Sequence, residues 1–184
     1  MSITTDAMQD VLTFWFEELG AEGWFKPPAG LDDKIKERFA GLHLALARGD
    51  LEGLRGSARH WLAAIIVLDQ FPRNIYRGTP LAFATDGLAL RESRLMVAAG
   101  LDLQLDLRSR CFSYLPFEHS ENIVDQDRSV ALFTALGEPD YLSYAQRHRD
   151  VILRFGRFPH RNAILGRETT EAELDYLSQP GSGF

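Results

Sequence analysis

Two short segments of the sequence join a Phe-Pro step to arginine and asparagine side chains. The first Phe-Pro segment is Gln70-Phe71-Pro72-Arg73-Asn74-Ile75, and the second Phe-Pro segment is Arg157-Phe158-Pro159-His160-Arg161-Asn162-Ala163-Ile164. Guanidinium and carboxamide groups donate hydrogen bonds to carboxylate and phosphate oxygens, so the repeated pattern indicates anion binding. The alternative is a helix stop in which these donors satisfy the last helical carbonyls. In either case, the Phe-Pro step is predicted to turn the chain out of a helix, because the residue before proline disfavours helical dihedral angles.

Asp69 stands directly before the first Phe-Pro segment, at the end of the most apolar stretch of the sequence. Its helical spacing from Leu62 and Ile65 predicts that it points into the protein. A buried carboxylate has to be paired or protonated, because an isolated buried charge costs several kcal/mol. The candidate partners are four arginines from the two segments and their flanks: Arg73, Arg77, Arg157 and Arg161. Two interpretations stay open, a functional site and a structural ion pair that ties the two loops together.

Three further residues are candidates for acid-base catalysis: His119, Glu121 and His160. Histidine titrates near neutral pH, so His119 or His160 could act as a general acid or base, oriented by Glu121 or Asp69. His148 shares a helical face with apolar residues and is predicted to be a core residue. No two histidines lie closer than His148 and His160, so the short fixed spacing of metal ligands is missing and no metal site is predicted. The Gly-rich and nucleophile motifs of nucleotide, dinucleotide and serine chemistry are also missing, so no cofactor is predicted.

Helical elements must position these side chains. Apolar residues recur at intervals of three and four, and no strand-like alternation persists, so the sequence predicts an all-α fold of about eight helices. The short loops between them predict antiparallel helix pairs in a single domain over residues 1–184. The predicted helices run over Asp6–Gly20, Ile35–Gly49, Ser57–Gln70, Pro80–Gly100, Leu107–Leu115, Ser120–Gly137, Pro139–Gly156 and from Thr170 onward.

The composition excludes several classes of protein. With 20 basic and 26 acidic residues in 184, the net charge of −6 argues against nucleic-acid binding, which depends on phosphate neutralisation. The longest apolar run, Trp61–Leu68, is too short to cross a membrane, and the first basic residue, Lys26, comes too late for a signal peptide. One cysteine cannot form an internal disulfide, so a cytoplasmic protein is expected. The average hides a local excess, because Arg147–Arg167 holds six arginines against one acid.

Several motifs resemble one family. They are Leu68-Asp69-Gln70-Phe71-Pro72-Arg73-Asn74, Tyr76-Arg77-Gly78, Tyr114-Leu115-Pro116-Phe117 with His119-Ser120-Glu121, and Arg154-Phe155-Gly156-Arg157-Phe158-Pro159-His160-Arg161-Asn162. Together they are similar to an uncharacterised bacterial family, domain of unknown function 924. The resemblance implies an α-α superhelical array like that of tetratricopeptide repeats, although no 34-residue repeat consensus is visible. It implies no reaction, cofactor or substrate.

Three hypotheses about function follow from the sequence. The first is a helical-array protein that binds an anionic small molecule or a peptide carboxylate, because bidentate arginine suits carboxylate and phosphate groups. The second is a hydrolase that uses a histidine with carboxylate support, and the third is a structural or interaction protein in which these charges brace the helices. The residues assigned to the binding site are Asp69, Arg73, Asn74, Arg77, Arg157, His160, Arg161 and Asn162.

Overall fold

The all-α prediction is confirmed. A computed structural model describes residues 3–49 and 51–183, and within them it contains helices and no strand. Eight α-helices have seven or more residues, as predicted, and two shorter ones accompany them. The α-helices are α1 Thr5–Leu12, α2 Gly20–Phe25, α3 Leu31–Arg48, α4 Ala58–Asp69, α5 Phe71–Ile75, α6 Asp86–Ala98, α7 Leu107–Glu118, α8 Ile123–Leu136, α9 Pro139–Phe155 and α10 Glu171–Leu177.

Tighter and wider helical turns connect some of these elements. A π-helix, Thr13–Leu19, continues α1, so the single helix predicted up to Gly20 widens after its first two turns. The 3₁₀-helices are Glu52–Leu54, Pro80–Phe83, Leu101–Gln104 and Pro159–Arg161. None of the described helices is long and apolar enough to cross a membrane.

The contacts of the described residues divide the chain into two compact units. The first unit comprises Met1–Arg77 and Leu81–Pro116, and the second comprises Gly78–Pro80 and Phe117–Phe184. The single domain predicted for residues 1–184 and the superhelical arrangement stay predictions.

The first unit is built around α4. This helix is apolar on all sides, and residues Trp61–Asp69 are all buried, as expected for a helix without a solvent face. Helices α1, α3, α5 and α6 all contact it. Its position sets that of Asp69, its last residue, which is 1% exposed. The prediction that Asp69 points into the protein is confirmed.

The second unit is centred on the pair α8 and α9. These two helices are separated only by Gly137 and Glu138 and pack along their length. Pro139 at the start of α9 and Gly156 after its end, with a φ of 69°, confirm the predicted helix boundaries. The capping box between Thr170 and Glu173 at the start of α10 is also confirmed.

Several local predictions were wrong. Thr4, and not Asp6, caps α1, while Asn122, and not Ser120, caps α8, because each side chain accepts a bond from a backbone N–H of the first turn. Helix α7 runs two residues beyond Pro116. A proline near a helix end removes a single backbone donor, which ends the helix soon afterwards but not at the proline itself.

Candidate functional site

The first Phe-Pro segment forms a short helix. Gln70 keeps helical angles (φ −89°, ψ −48°), and α5 begins at Phe71, so the predicted exit from the helix is wrong here. The Arg73 guanidinium binds both carboxylate oxygens of Asp86, at 3.0 and 3.2 Å. It also donates to the Asp69 carbonyl oxygen and lies 3.6 Å from Asp69 Oδ1. Arg73 therefore bridges a buried and a half-buried carboxylate within the first unit.

The other two donors of this region converge on Asp32 at the start of α3. The Asn74 side-chain amide donates to Asp32 Oδ1 at 2.8 Å, and Arg77 donates to both Asp32 oxygens at 2.6 and 2.9 Å. The hydrogen bond from Arg77 is the main cause that lowers the pKa of Asp32. All three predicted binding residues of the first segment thus engage aspartates of the first unit.

The second Phe-Pro segment leaves its helix as predicted. Phe158 is extended (φ −89°, ψ 107°), and Pro159–Arg161 then forms one 3₁₀ turn. Glu121 holds this exit in place, because its Oε1 accepts from the Phe158 backbone N–H at 2.9 Å and its two oxygens bind Arg167 at 2.9 and 2.8 Å. Burial raises the pKa of Glu121, but the hydrogen bonds from Arg167 and Phe158 outweigh it and lower the pKa. Glu121 therefore anchors the segment, and no histidine contact is among its hydrogen bonds.

Arg157 and Asn162, both in the second Phe-Pro segment, make contacts within the second unit. The Arg157 guanidinium binds both oxygens of Glu173, at 2.7 and 2.8 Å, and this bond is the main cause that lowers the pKa of Glu173 to about 2. The fully buried Asn162 donates to the Thr169 hydroxyl at 3.5 Å. Both residues tie the second segment to the start of α10.

Two histidines and one arginine lie around Phe158, and a third histidine lies beside them. The His148 and His160 rings each lie 5.6 Å from the Phe158 ring, and the Arg161 guanidinium carbon lies 4.6 Å from its centre. His119 joins them through a ring distance of 6.4 Å to His148, and its carbonyl accepts a bond from Arg161 at 3.1 Å. We call these four basic side chains, His119, His148, His160 and Arg161, the histidine cluster.

His148 is neutral at the centre of this cluster. It is 5% exposed, and its Nδ1–H lies 2.9 Å from the Tyr144 carbonyl oxygen and 3.3 Å from Glu118 Oε1. Burial is the largest cause that lowers its pKa to about 3; the charges of His119, His160 and Arg161 add to it and outweigh the bond to Tyr144. The contact with Glu118 is therefore one of a neutral imidazole with a carboxyl group, and Nε2 is left as the acceptor nitrogen.

A buried amide fixes the turn that carries His119. The Gln126 side chain on α8 is fully buried, and its nitrogen donates to the carbonyl oxygens of Glu118 and Ser120, both at 2.7 Å. Two bonds on either side of His119 hold the backbone there. The cluster is thus positioned by α8, α9 and the second Phe-Pro segment together.

Sequence reasoning assigned roles to His119, His160 and Arg161 but placed His148 in the core only. His148 is indeed buried, yet its neighbours include the Glu118 carboxyl group and the Tyr144 carbonyl as well as Phe158, which its helical spacing could not show. The sequence analysis also missed Asp32 and Asp86 as partners of the first Phe-Pro segment, because each lies more than ten residues from the residue that it binds. Across the described residues, no three His, Cys, Asp or Glu side chains meet in a group that could hold a metal ion.

The fold and the site together define a class of all-α proteins in which a histidine cluster lies on and beside a Phe-Pro-His-Arg-Asn turn. The family model described as bacterial protein of unknown function (DUF924) matches residues 11–181, and the chain belongs to this family. A solved structure, a protein of unknown function, ATU0120, from Agrobacterium tumefaciens, is 42% identical. It superposes with a TM-score of 0.90 over 95% of this chain and 98% of its own. Among curated proteins, none matches this sequence.

Proposed function

We propose that the protein binds an anionic small molecule or a peptide carboxylate at the histidine cluster. The observation that carries the proposal is that His148, His160 and Arg161 lie around one phenylalanine ring and that His119 lies beside His148. Burial is the main cause of the low pKa of His148, and the neighbouring His119, His160 and Arg161 lower it further, so this site favours a negatively charged group over another cation. The oxygens of a bound anion would accept from the guanidinium of Arg161 and from the rings of His119 and His160, whereas His148 directs its only N–H to the Tyr144 carbonyl.

The test is a titration of the full chain with inorganic phosphate, phosphorylated metabolites and short acidic peptides, followed by calorimetry and thermal shift. We expect one anion class to bind saturably and to raise the melting temperature. His160→Gln replaces a half-buried imidazole, which can be protonated, with a neutral amide and should weaken that binding about tenfold, as expected when a hydrogen bond to an anion loses its charged donor.

The control is Arg149→Gln, which removes an arginine of α9 that pairs with Asp127 at 2.6 Å, away from the Phe158 ring. It should bind the anion like the wild type. Failure of every anion to stabilise the protein, or equal binding by His160→Gln and the wild type, would refute the proposal.

A second candidate function is hydrolysis, favoured by the contact between His148 and Glu118. The Glu118 carboxyl group, 3.3 Å from Nδ1, orients the ring and leaves Nε2 as the acceptor, which is the geometry of a general base. Because the pKa of His148 is about 3, this role requires the bound substrate anion to raise that pKa. A panel of phosphate and carboxylate esters tests it, with His148→Gln expected to abolish turnover. His43→Gln, which alters a buried histidine of the first unit, should keep it. Equal turnover by the His148→Gln variant and the wild type would exclude this role.

A further inference from the structure

The second unit contains a cavity that is separate from the histidine cluster. It has a volume of about 270 Å³ and lies between α9, α10 and the residues that follow α10. This is slightly below the range of about 300–1,000 Å³ that is usual for drug-sized ligands, so it suits a smaller molecule. Its wall combines charged and aromatic groups, chief among them Arg147, Asp150, Arg154, Phe155, Tyr176 and Gly181.

Both signs of charge line the cavity from one helix. Arg147, Asp150 and Arg154 follow one another on α9 at spacings of three and four residues, which places them on the same face. Within residues 3–49 and 51–183, neither Asp150 nor Arg154 has a hydrogen-bond or ion-pair partner. Most other arginines of α9 and the segment after it are engaged, as Arg149 is with Asp127 and Arg157 with Glu173.

The uncharged part of the wall includes two aromatic rings. The Phe155 and Tyr176 rings lie 5.2 Å apart, and the Arg154 guanidinium carbon lies 4.7 Å from the centre of the Phe155 ring. Stacking on the ring limits the orientations of the guanidinium and leaves its N–H groups for a ligand. Burial raises the pKa of Tyr176 against the opposing charges of Arg147 and Arg154, so its hydroxyl is a neutral donor at the cavity.

Gly181, in the chain segment after α10, forms part of the cavity wall. Its carbonyl oxygen accepts a bond from Arg147 at 3.0 Å, and its φ of 78° is a left-handed conformation that favours glycine. A Cβ at this position would lie 3.2 Å from the Arg147 guanidinium. Ser182 fixes the same turn, because its hydroxyl donates to the Leu177 carbonyl oxygen at 3.0 Å. The wall is therefore held in place by specific contacts.

We infer that this cavity binds a free α-amino acid with an apolar or aromatic side chain. Arg154, next to Arg147, takes the carboxylate; Asp150 takes the ammonium group; and Phe155 with Tyr176 contacts the side chain. A zwitterion matches this wall better than a simple anion, since a simple anion would leave the Asp150 carboxylate facing a like charge. The ligand differs from that proposed for the histidine cluster, and neither proposal depends on the other.

The experiment is calorimetric titration of the full chain with phenylalanine, tyrosine, leucine and valine. We expect saturable binding of at least one of them. Phenylpropionate lacks the ammonium group and phenethylamine lacks the carboxylate, so each should bind at least about tenfold more weakly than phenylalanine. Arg154→Gln and Asp150→Asn should each weaken amino-acid binding by about the same factor.

Arg149→Gln is the matched control, because it removes a charge from the same helix outside the cavity wall. It should bind the amino acid like the wild type. Three results would overturn the inference: no saturable binding of any of the four amino acids, unchanged binding by Arg154→Gln, or phenylpropionate binding as tightly as phenylalanine. Both charged residues are exposed, so their substitution is compatible with a folded protein, which circular dichroism verifies.

Discussion

The two Phe-Pro segments share a sequence pattern and differ in what their arginines contact. Arg73 of the first segment binds Asp86 and lies beside Asp69, whereas Arg161 of the second lies over the Phe158 ring and donates to the His119 carbonyl. Asn74 binds a carboxylate, and Asn162 binds the Thr169 hydroxyl and the Glu173 carboxylate. The first segment thus forms an ion-pair brace, whereas the second combines such a brace at Arg157 with a basic cluster around Arg161.

This difference arises from the neighbouring elements and not from the segments themselves. Helices α3 and α6 bring aspartates to the first segment, and α9 together with the turn before α8 brings histidines to the second. A brace predicts that substitution costs stability, whereas a binding cluster predicts that it costs affinity. The following predictions test that contrast separately in each unit.

The largest expected effect is that of Arg73→Met. It removes the guanidinium that lies beside Asp69, which is 1% exposed, and that binds Asp86, and the loss of this charge from a buried carboxylate should lower the free energy of unfolding by about 3 kcal/mol. Urea unfolding followed by tryptophan fluorescence measures it, because Trp15, Trp24 and Trp61 all lie in the first unit. A loss below about 1 kcal/mol would contradict the brace.

The second prediction concerns acid sensitivity of the second unit. The pKa of His148 is about 3 in the folded state, against 6.5 for an ordinary histidine, so the unfolded state binds more protons between these pH values. The stability due to neutral His148 is complete above pH 6.5 and is lost as the pH falls, by about 2 kcal/mol between pH 7 and pH 5. Hydrogen exchange of the α9 amides, corrected for intrinsic rates, measures this loss.

The matched variant is His148→Gln, in which the pH dependence of α9 protection over this range should nearly vanish. Burial also lowers the pKa of His43 in the first unit. The variant His43→Gln should therefore reduce the pH dependence of the unfolding free energy measured by tryptophan fluorescence and leave the exchange of the α9 amides unchanged. An unchanged pH dependence of α9 protection in His148→Gln would contradict the assignment.

Glu121→Gln is expected to have an intermediate effect. The variant weakens the charged bonds to Arg167 and to the Phe158 N–H that hold the second segment, which should cost about 1 kcal/mol. Faster exchange of the Phe158 amide is the local readout. Glu168→Gln, at an exposed side chain nearby, is the control, and equal exchange in the two variants would show that Glu121 anchors nothing.

The smallest expected effect is that of Arg77→Gln. The side chains of Arg77 and Asp32 are 60% and 40% exposed, so their ion pair should contribute about 0.5 kcal/mol or less. Salt screens an exposed pair, so the difference from the wild type should shrink at high ionic strength. A loss of unfolding free energy as large as that of Arg73→Met would contradict the expectation that the exposed ion pair of Arg77 contributes less to stability than the more buried contacts of Arg73.

Local sequence signals predicted most of the fold. The periodicity of apolar residues located all eight longer helices, and Pro139, Gly156 and the Thr170–Glu173 box marked their ends, because these signals act over one or two helical turns. The same reasoning failed at Phe71, where a residue before proline begins a helix. There the packing of α5 against α3 and α4 overrides a backbone preference that is weak by comparison.

The sequence by itself determined that the protein is all-α and belongs to DUF924, that Asp69 and His148 are buried, and that basic residues accumulate between residues 147 and 167. Only the tertiary structure decided which charges meet. Asp32 and Asn74 are 42 residues apart, and so are His119 and Arg161, so no local pattern links them. Helix formation depends on neighbours along the chain, whereas the pairing of side chains depends on how helices pack, which is why two similar segments acquired different surroundings.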